Sequence, residues 1–157
     1  MKPAFSDIAA GWLVRFAAVG LIAMTAIIGW QVFGRFVLDS SPSWSEQSAM
    51  VLMIWYVFIA AAAGVWERFH IRIELLERQL TPSGLRRLRI TIHALTALFG
   101  LIFSIYGAIL AWEVRSHVIP SLGISRMFAY LPIPFAGLLM TLFSIARIRL
   151  RLAGKGS

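Results

Sequence analysis

The stretch QSAMVLMIWYVFIAAAAGVW, residues 47–66, contains no charged residue and decides the class of fold. An α-helix rises about 1.5 Å per residue, so about 20 apolar residues cross the roughly 30 Å hydrocarbon core of a bilayer. Three further runs of comparable length lack Asp, Glu, Lys and Arg, at residues 16–34, 90–112 and 127–146. The sequence therefore predicts an all-α integral membrane protein with four transmembrane helices.

The composition supports a membrane protein, because 59% of the residues are hydrophobic, 14% are charged and the mean hydropathy is +0.79. The first apolar run is too long for a cleaved signal peptide, so we expect it to remain as a helix. The absence of cysteine excludes disulfides and thiolate metal sites. We predict one membrane domain, residues 1–157, with spans at approximately 12–37, 44–66, 85–113 and 127–149.

Local signals mark two helix starts and two packing faces. Ser43 and Glu46 fit a capping box before the second helix, and Thr81 followed by Pro82 fits an N-cap before the third. Small residues at four-residue spacing predict faces where helices approach closely. These residues are Ala60 and Gly64 in the second helix, and Gly100, Ser104 and Ala108 in the third.

The basic residues predict the orientation of the chain. With four spans, one side of the membrane carries both termini and the middle connection, and this side holds twelve of the fifteen Lys and Arg residues. The other side holds only Arg35, Arg115 and Arg126. The positive-inside rule then places both termini in the cytoplasm. Because the basic residues are scattered at membrane boundaries, we expect them to meet lipid headgroups and expect no nucleic acid as partner.

The predicted spans offer little chemistry. Their charge-free runs contain no Asp, Glu, Lys or Arg, whereas an ion-coupled transporter that works alone normally keeps such a group in its helix bundle. His93 and His117 fall at opposite ends of the third helix, and His70 lies in a surface stretch, so haem ligation by a matched pair is not expected. We predict no enzyme activity and no cofactor. Two functions remain for such a helix bundle. One is an accessory subunit of a transporter, and the alternative is a membrane anchor or electron-transfer subunit of a redox complex.

The segment HIRIELLERQL, residues 70–80, is too polar for hydrocarbon and too apolar for an ordinary loop. Ile73, Leu76 and Leu80 recur at helical spacing, whereas Glu74 and Arg78 form an i, i+4 pair on another face. The pattern predicts an amphipathic arm, residues 67–81, that lies in the headgroup plane on the cytoplasmic side. The periodicity leaves open whether the arm meets lipid alone or a protein partner as well.

Three motifs follow one another along most of the chain: GRFVLDSSPSWSEQSAM (34–50), VWERFHIRIELL (65–76) and SLGISRMFAYLPIPFAG (121–137). Together they resemble the small membrane subunit of tripartite ATP-independent periplasmic (TRAP) transporters. The chain departs from the family pattern at Gln47, Glu74 and Ser125, where a second acid, an Asp and a Pro are commoner. The resemblance implies that a set of motif residues makes partner contacts or local structure: Arg35, Trp44, Glu46, His70, Arg72 and Glu74.

The resemblance also implies partners and a location in the bacterial inner membrane. In this family the large membrane subunit carries the substrate and sodium sites and moves as an elevator. A periplasmic substrate-binding protein delivers the substrate, usually an organic acid. The small subunit is a fixed companion that braces the scaffold of the large subunit.

The orientation can be tested with a reporter that is active only in the periplasm. We expect no activity from a fusion at Ser157 and full activity from fusions near Asp39 or Ser121, because the twelve basic residues hold their side of the chain in the cytoplasm. Activity from the fusion at Ser157 would contradict either the four spans or their direction.

Overall fold

The computed structural model describes residues 5–40, 42–67 and 81–152. Among these residues, four helices are long and apolar enough to cross a membrane, as the charge-free runs predicted. They are α1 (Phe5–Phe36), α2 (Ser43–Glu67), α3 (Pro82–Glu113) and α5 (Pro132–Leu152), and the one-turn helix α4 (Met127–Tyr130) precedes α5. At 32 residues each, α1 and α3 are about 48 Å long. Both exceed the hydrocarbon thickness, so they tilt in the bilayer or extend beyond it.

The first two helices join through a tight turn that depends on Gly34. The amide of Ser40 donates to the Gly34 carbonyl at 2.9 Å, and Asp39 takes a left-handed conformation with φ of 50°. A Cβ atom on Gly34 would lie 2.7 Å from the Ser40 carbonyl oxygen, which leaves no room for a side chain. The turn therefore returns the chain directly into α2.

The start of α2 differs from the predicted capping box. Helix α2 already includes Ser43, so Ser43 does not precede the helix as a cap. The fully buried hydroxyl of Ser45 donates instead to the Pro42 carbonyl at 2.7 Å. By contrast, α3 begins as predicted: the Thr81 hydroxyl accepts the Gly84 amide at 3.3 Å, and Pro82 follows at the first position.

The long helices pack in the spatial order α1, α2, α5, α3, which differs from their order in the chain. Helix α2 packs against α1 on one side and α5 on the other, and α5 packs against α3. Only 6% of the spanning part of α1 is buried, against 33% for α2 and for α5. The two hairpins thus meet through their second helices, and α1 and α3 form the outer edges.

Helices α3 and α5 touch backbone to backbone at Gly100 and Gly137. A Cβ atom on Gly137 would lie 2.5 Å from the Gly100 carbonyl oxygen and 2.6 Å from the Ser104 amide nitrogen. The Thr141 hydroxyl reaches across this contact and lies 3.2 Å from the Ala97 carbonyl oxygen. Small residues permit such contacts in membranes, where packing and interhelical hydrogen bonds replace the hydrophobic force that acts in water.

Two of the predicted small-residue positions are wrong. Ala108 is exposed, and the α3 face continues instead through Gly107, where a Cβ atom would lie 2.7 Å from Ile133. A straight α-helix has about 3.6 residues per turn, so a strict four-residue repeat leaves the contact face after two steps. Ala60 is also exposed, although Gly64 is buried where α1 and α5 cover the end of α2.

A short hairpin that the sequence analysis did not predict joins α3 to α4. A 3-10 turn (Val114–Ser116) leads into strands β1 (Val118–Ile119) and β2 (Ile124–Ser125), which pair antiparallel. Gly123 takes a φ of 66° between the strands, where glycine carries no steric penalty. The Ser125 hydroxyl donates to the Arg115 carbonyl at 2.6 Å and so ties the second strand to the end of α3.

The interruption between α4 and α5 leaves a carbonyl that a side chain of α2 satisfies. In a continuous helix the Phe128 carbonyl would accept from the amide of residue 132, but Pro132 has no N–H. The indole Nε1 of Trp55 donates to this carbonyl at 3.0 Å. The bond therefore supplies the missing donor and fixes the start of the fourth span against α2.

Replacing Trp55 with Phe should destabilise the protein, because the Phe128 carbonyl then has no donor. We expect a loss of about 1–3 kcal/mol, measured as the free energy of unfolding in detergent. Because Pro132→Ala restores a backbone N–H, the double variant Trp55→Phe/Pro132→Ala should lose less than the sum of the two single variants. Additive losses would contradict the proposed exchange of donors.

Candidate partner-binding and membrane surfaces

Many of the large side chains of the four spanning helices point outward, and several small ones fill the interior. On α1 and α3, Ile22 and Tyr106 are 68% and 67% exposed, whereas Ala62 and Ala63 of α2 and Ala136 of α5 are fully buried. Such an arrangement would aggregate in water, but it suits hydrocarbon or an apolar protein partner. The lateral surface of the helices is therefore the main binding surface of the chain.

Three of the residues singled out in the sequence lie at the same end of the α1–α2 hairpin. Arg35 is in the last turn of α1, and Trp44 and Glu46 are in the first turn of α2. All three side chains are exposed, so a partner could reach them. Glu46 also lies where the positive end of the helix dipole favours a carboxylate. A role for these residues in partner contacts stays a prediction.

The remaining predicted site residues and the residues of the predicted arm lie outside the described residues. These are His70, Arg72 and Glu74 of the second motif, and Ile73, Leu76 and Leu80 of the predicted surface arm. The described chain stops at Glu67 and resumes at Thr81, so the arm stays a prediction.

The end of α2, directly before this segment, is anchored by Arg147 of α5. The Arg147 guanidinium donates a hydrogen bond to the Trp66 carbonyl and lies 4.1 Å from the centre of the Trp66 ring. Trp66 also packs on Phe143, with 5.6 Å between ring centroids, and is only 5% exposed. Ala10 of α1 joins the same buried cluster. This cluster thus links α1, α2 and α5 at the same height along the helices.

From the sequence alone, Arg147 is one of the basic residues expected to face lipid headgroups, and its contact with Trp66 is not predicted. Arg147 and Trp66 both stand where a charge-free run ends, and α2 and α5 run in the same direction. The two residues are therefore expected at the same depth in the membrane, and this shared depth was a signal for their contact. A cation near the C-terminal end of α2 is also favoured by the helix dipole, and Trp is the best aromatic partner for a cation.

The described histidines are far apart. His93 lies in α3 and His117 follows the end of that helix, which separates them by about 30 Å at the usual helical rise. They cannot ligate one metal or one haem together. Within residues 5–40, 42–67 and 81–152, the structure contains no group of three or more potential metal-ligating side chains.

Comparison with known families settles what kind of chain carries these surfaces. The family model described as tripartite ATP-independent periplasmic transporters, DctQ component, matches residues 24–154. The chain belongs to the DctQ family. It is therefore the small membrane subunit of a TRAP transporter, as the three motifs indicated. A search of curated proteins found no match.

Membership of the DctQ family also bears on the alternative function. The family is a transporter component and not a family of enzymes or redox anchors, so the electron-transfer alternative receives no support. DctQ subunits belong to tripartite transporters, which implies a large membrane subunit and a binding protein as partners. The exposed lateral surface of this DctQ chain is available for such a partner.

Arg147 should be the basic residue of α5 on which the stability of this DctQ subunit depends most. We expect Arg147→Ala to lower the free energy of unfolding in detergent by about 1–3 kcal/mol, since it removes a charged hydrogen bond and a cation–π contact. Arg149→Ala is the matched control, because Arg149 carries the same charge on the same helix but is exposed. Equal losses in the two variants would show that charge alone matters.

Proposed function

We propose that this DctQ chain is a fixed companion of the large membrane subunit. In this proposal it braces the scaffold against which the large subunit moves an organic acid together with sodium ions. A periplasmic binding protein delivers the substrate. The observation that carries the proposal is a combination of four long runs without Asp, Glu, Lys or Arg and a lateral surface rich in large apolar side chains.

The packing of the helices supports a bracing role better than a substrate pathway. Sites for ions and organic acids in membranes normally contain charged or polar groups that face a cavity between helices. Between α3 and α5 the backbones touch at Gly100 and Gly137, which leaves no space for a solute there. Between α2 and α5, Trp66 and Phe143 fill the space near the C-terminal end of α2.

The spatial order of the helices also suits a brace. Four helices in the order α1, α2, α5, α3 expose more lateral surface than a closed four-helix bundle, because α1 and α3 do not cover each other. A subunit of this shape widens the footprint of its partner in the bilayer. It also holds the partner's scaffold in place.

We further propose that the protein lies in the bacterial inner membrane with both termini in the cytoplasm, on the basis of the twelve basic residues on one side. The α1–α2 turn with Arg35, Trp44 and Glu46 then faces the periplasm. In the same orientation, the predicted arm, residues 67–81, lies on the cytoplasmic side. This amphipathic arm rests there on lipid or on the large subunit.

The bracing role predicts that the subunit is required for transport although it binds no substrate. Proteoliposomes that contain the large subunit and receive the loaded binding protein should take up little substrate without this chain and recover uptake when it is added. The physical reason is that an elevator movement needs a stationary scaffold. Full uptake without this chain would contradict the proposal.

The arm should act through its apolar side and not through single charges. Replacing Ile73, Leu76 and Leu80 together with Ser should reduce the yield of the complex with the large subunit. Full burial of each aliphatic side chain contributes about 1.5–3 kcal/mol, and partial burial at an interface contributes less. Arg78→Gln should have little effect, because an exposed ion pair contributes about 0–1 kcal/mol. The reverse order of effects would show that the segment works through specific ionic contacts.

A further inference from the structure

An apolar groove runs between α1 and α2 on the outer edge of the protein. Its volume is about 280 Å³, and its walls are almost entirely apolar. On α1 it extends from Phe16 to Ala23, a rise of about 10 Å. Pockets for drug-sized ligands measure about 300–1,000 Å³, so a groove of this size and shape suits a single elongated chain better than a compact molecule.

Helices α1 and α2 pack closely at Gly20, in the wall of the groove. A Cβ atom on Gly20 would lie 3.0 Å from the Cβ atom of Tyr56. Towards the N-terminal end of α1, the rings of Phe16 and Trp55 stand 6.4 Å apart between centroids and form one wall. The groove is open to the hydrocarbon on its outer side, because Val19 on its rim is 65% exposed.

A cation marks the end of the groove. Trp12, Phe16, Val19 and Ala23 share one face of α1 at helical spacing, so Trp12 continues the line of the groove towards the N-terminus. The Arg15 guanidinium lies 5.5 Å from the centre of the exposed Trp12 ring. Arg15 is also the last charged residue before the charge-free run 16–34, which puts it at headgroup level.

We propose that this groove is a binding site for one anionic phospholipid. An acyl chain fills the groove along Phe16, Val19 and Ala23, and the phosphate group lies at Arg15. An apolar channel that begins directly beside a cation matches the two parts of a phospholipid. A net negative headgroup is favoured over a zwitterionic one, because the charge of Arg15 is then not opposed by a headgroup amine.

The bound lipid would hold α1 in place. Helix α1 packs chiefly against α2, and only 6% of its spanning part is buried. An acyl chain that contacts both helices adds packing where the protein itself provides least. This role does not depend on the orientation of the chain or on the bracing proposal, and the two can fail separately.

The test uses the full-length chain, delipidated in detergent and analysed by native mass spectrometry. It is titrated with phosphatidylglycerol or with phosphatidylethanolamine carrying the same acyl chains. We expect the wild type to hold one phosphatidylglycerol in preference to phosphatidylethanolamine. Arg15→Gln should reduce this preference about fivefold, the effect of roughly one cation at an anionic lipid. Arg86→Gln is the matched control, because Arg86 is an exposed arginine on α3, far from the groove in the order of helices.

A second pair of variants tests the acyl-chain part of the site. Ala23→Phe should block the groove and abolish binding of both lipids, whereas Ala18→Phe should not, because Ala18 is an exposed residue of α1 that does not line the groove.

Equal binding of the two lipids by the wild type would overturn the proposal. Equal effects of the test and control variants would do the same and would indicate only general solvation by lipid. Loss of the complex with the large subunit in Ala23→Phe, with lipid binding unchanged, would assign the groove to a helix of that partner.

Discussion

No water is available in the hydrocarbon core, so each backbone N–H and C=O group that lies there must find its partner within the protein. The helices satisfy almost all of these groups, but Pro132 removes one donor from the fourth span. The indole of Trp55 replaces it by binding the Phe128 carbonyl. This bond holds the start of the fourth span against α2, and the contacts of Trp66 with Phe143 and Arg147 hold the other end of α5 against the same helix.

The same environment explains why the helix contacts use small residues and polar contacts across helices. Lipid tails are as apolar as leucine, so large hydrophobic side chains gain nothing by turning inward. Gly100 and Gly137 let the backbones of α3 and α5 touch, and the Thr141 hydroxyl lies 3.2 Å from the Ala97 carbonyl across that contact. At the C-terminal end of α2, Arg147 donates to the Trp66 carbonyl. Contacts of these two kinds make the four helices one body with a small interior and a large apolar outer surface.

The sequence predicted the four spans because apolar length is a local property, and the Thr81–Pro82 helix start because capping is local as well. It did not predict contacts between distant residues. Trp55 and Phe128 are 73 positions apart, and no local pattern relates them. Trp66 and Arg147 are 81 apart and share only their depth, at the end of a charge-free run. The error at Ala108 has a different cause, since a repeat of four drifts off the face of a helix with about 3.6 residues per turn. The Arg35, Trp44 and Glu46 motif was found from a family pattern, and its role in partner contacts stays a prediction.

The central claim is that the four helices remain one rigid body while the transporter works. The chain contains no cysteine, so spin labels can be attached at Ser40→Cys and Ser116→Cys without removing any native thiol. These exposed positions report on the distance between the first and second hairpins. The distance between the labels would be measured by pulsed electron paramagnetic resonance in the complete transporter, with and without sodium and the loaded binding protein. The account predicts the same distribution in both conditions. A shift well beyond the roughly 1–2 Å of ordinary helix shear would show that this chain changes shape during the transport cycle and is not a rigid brace.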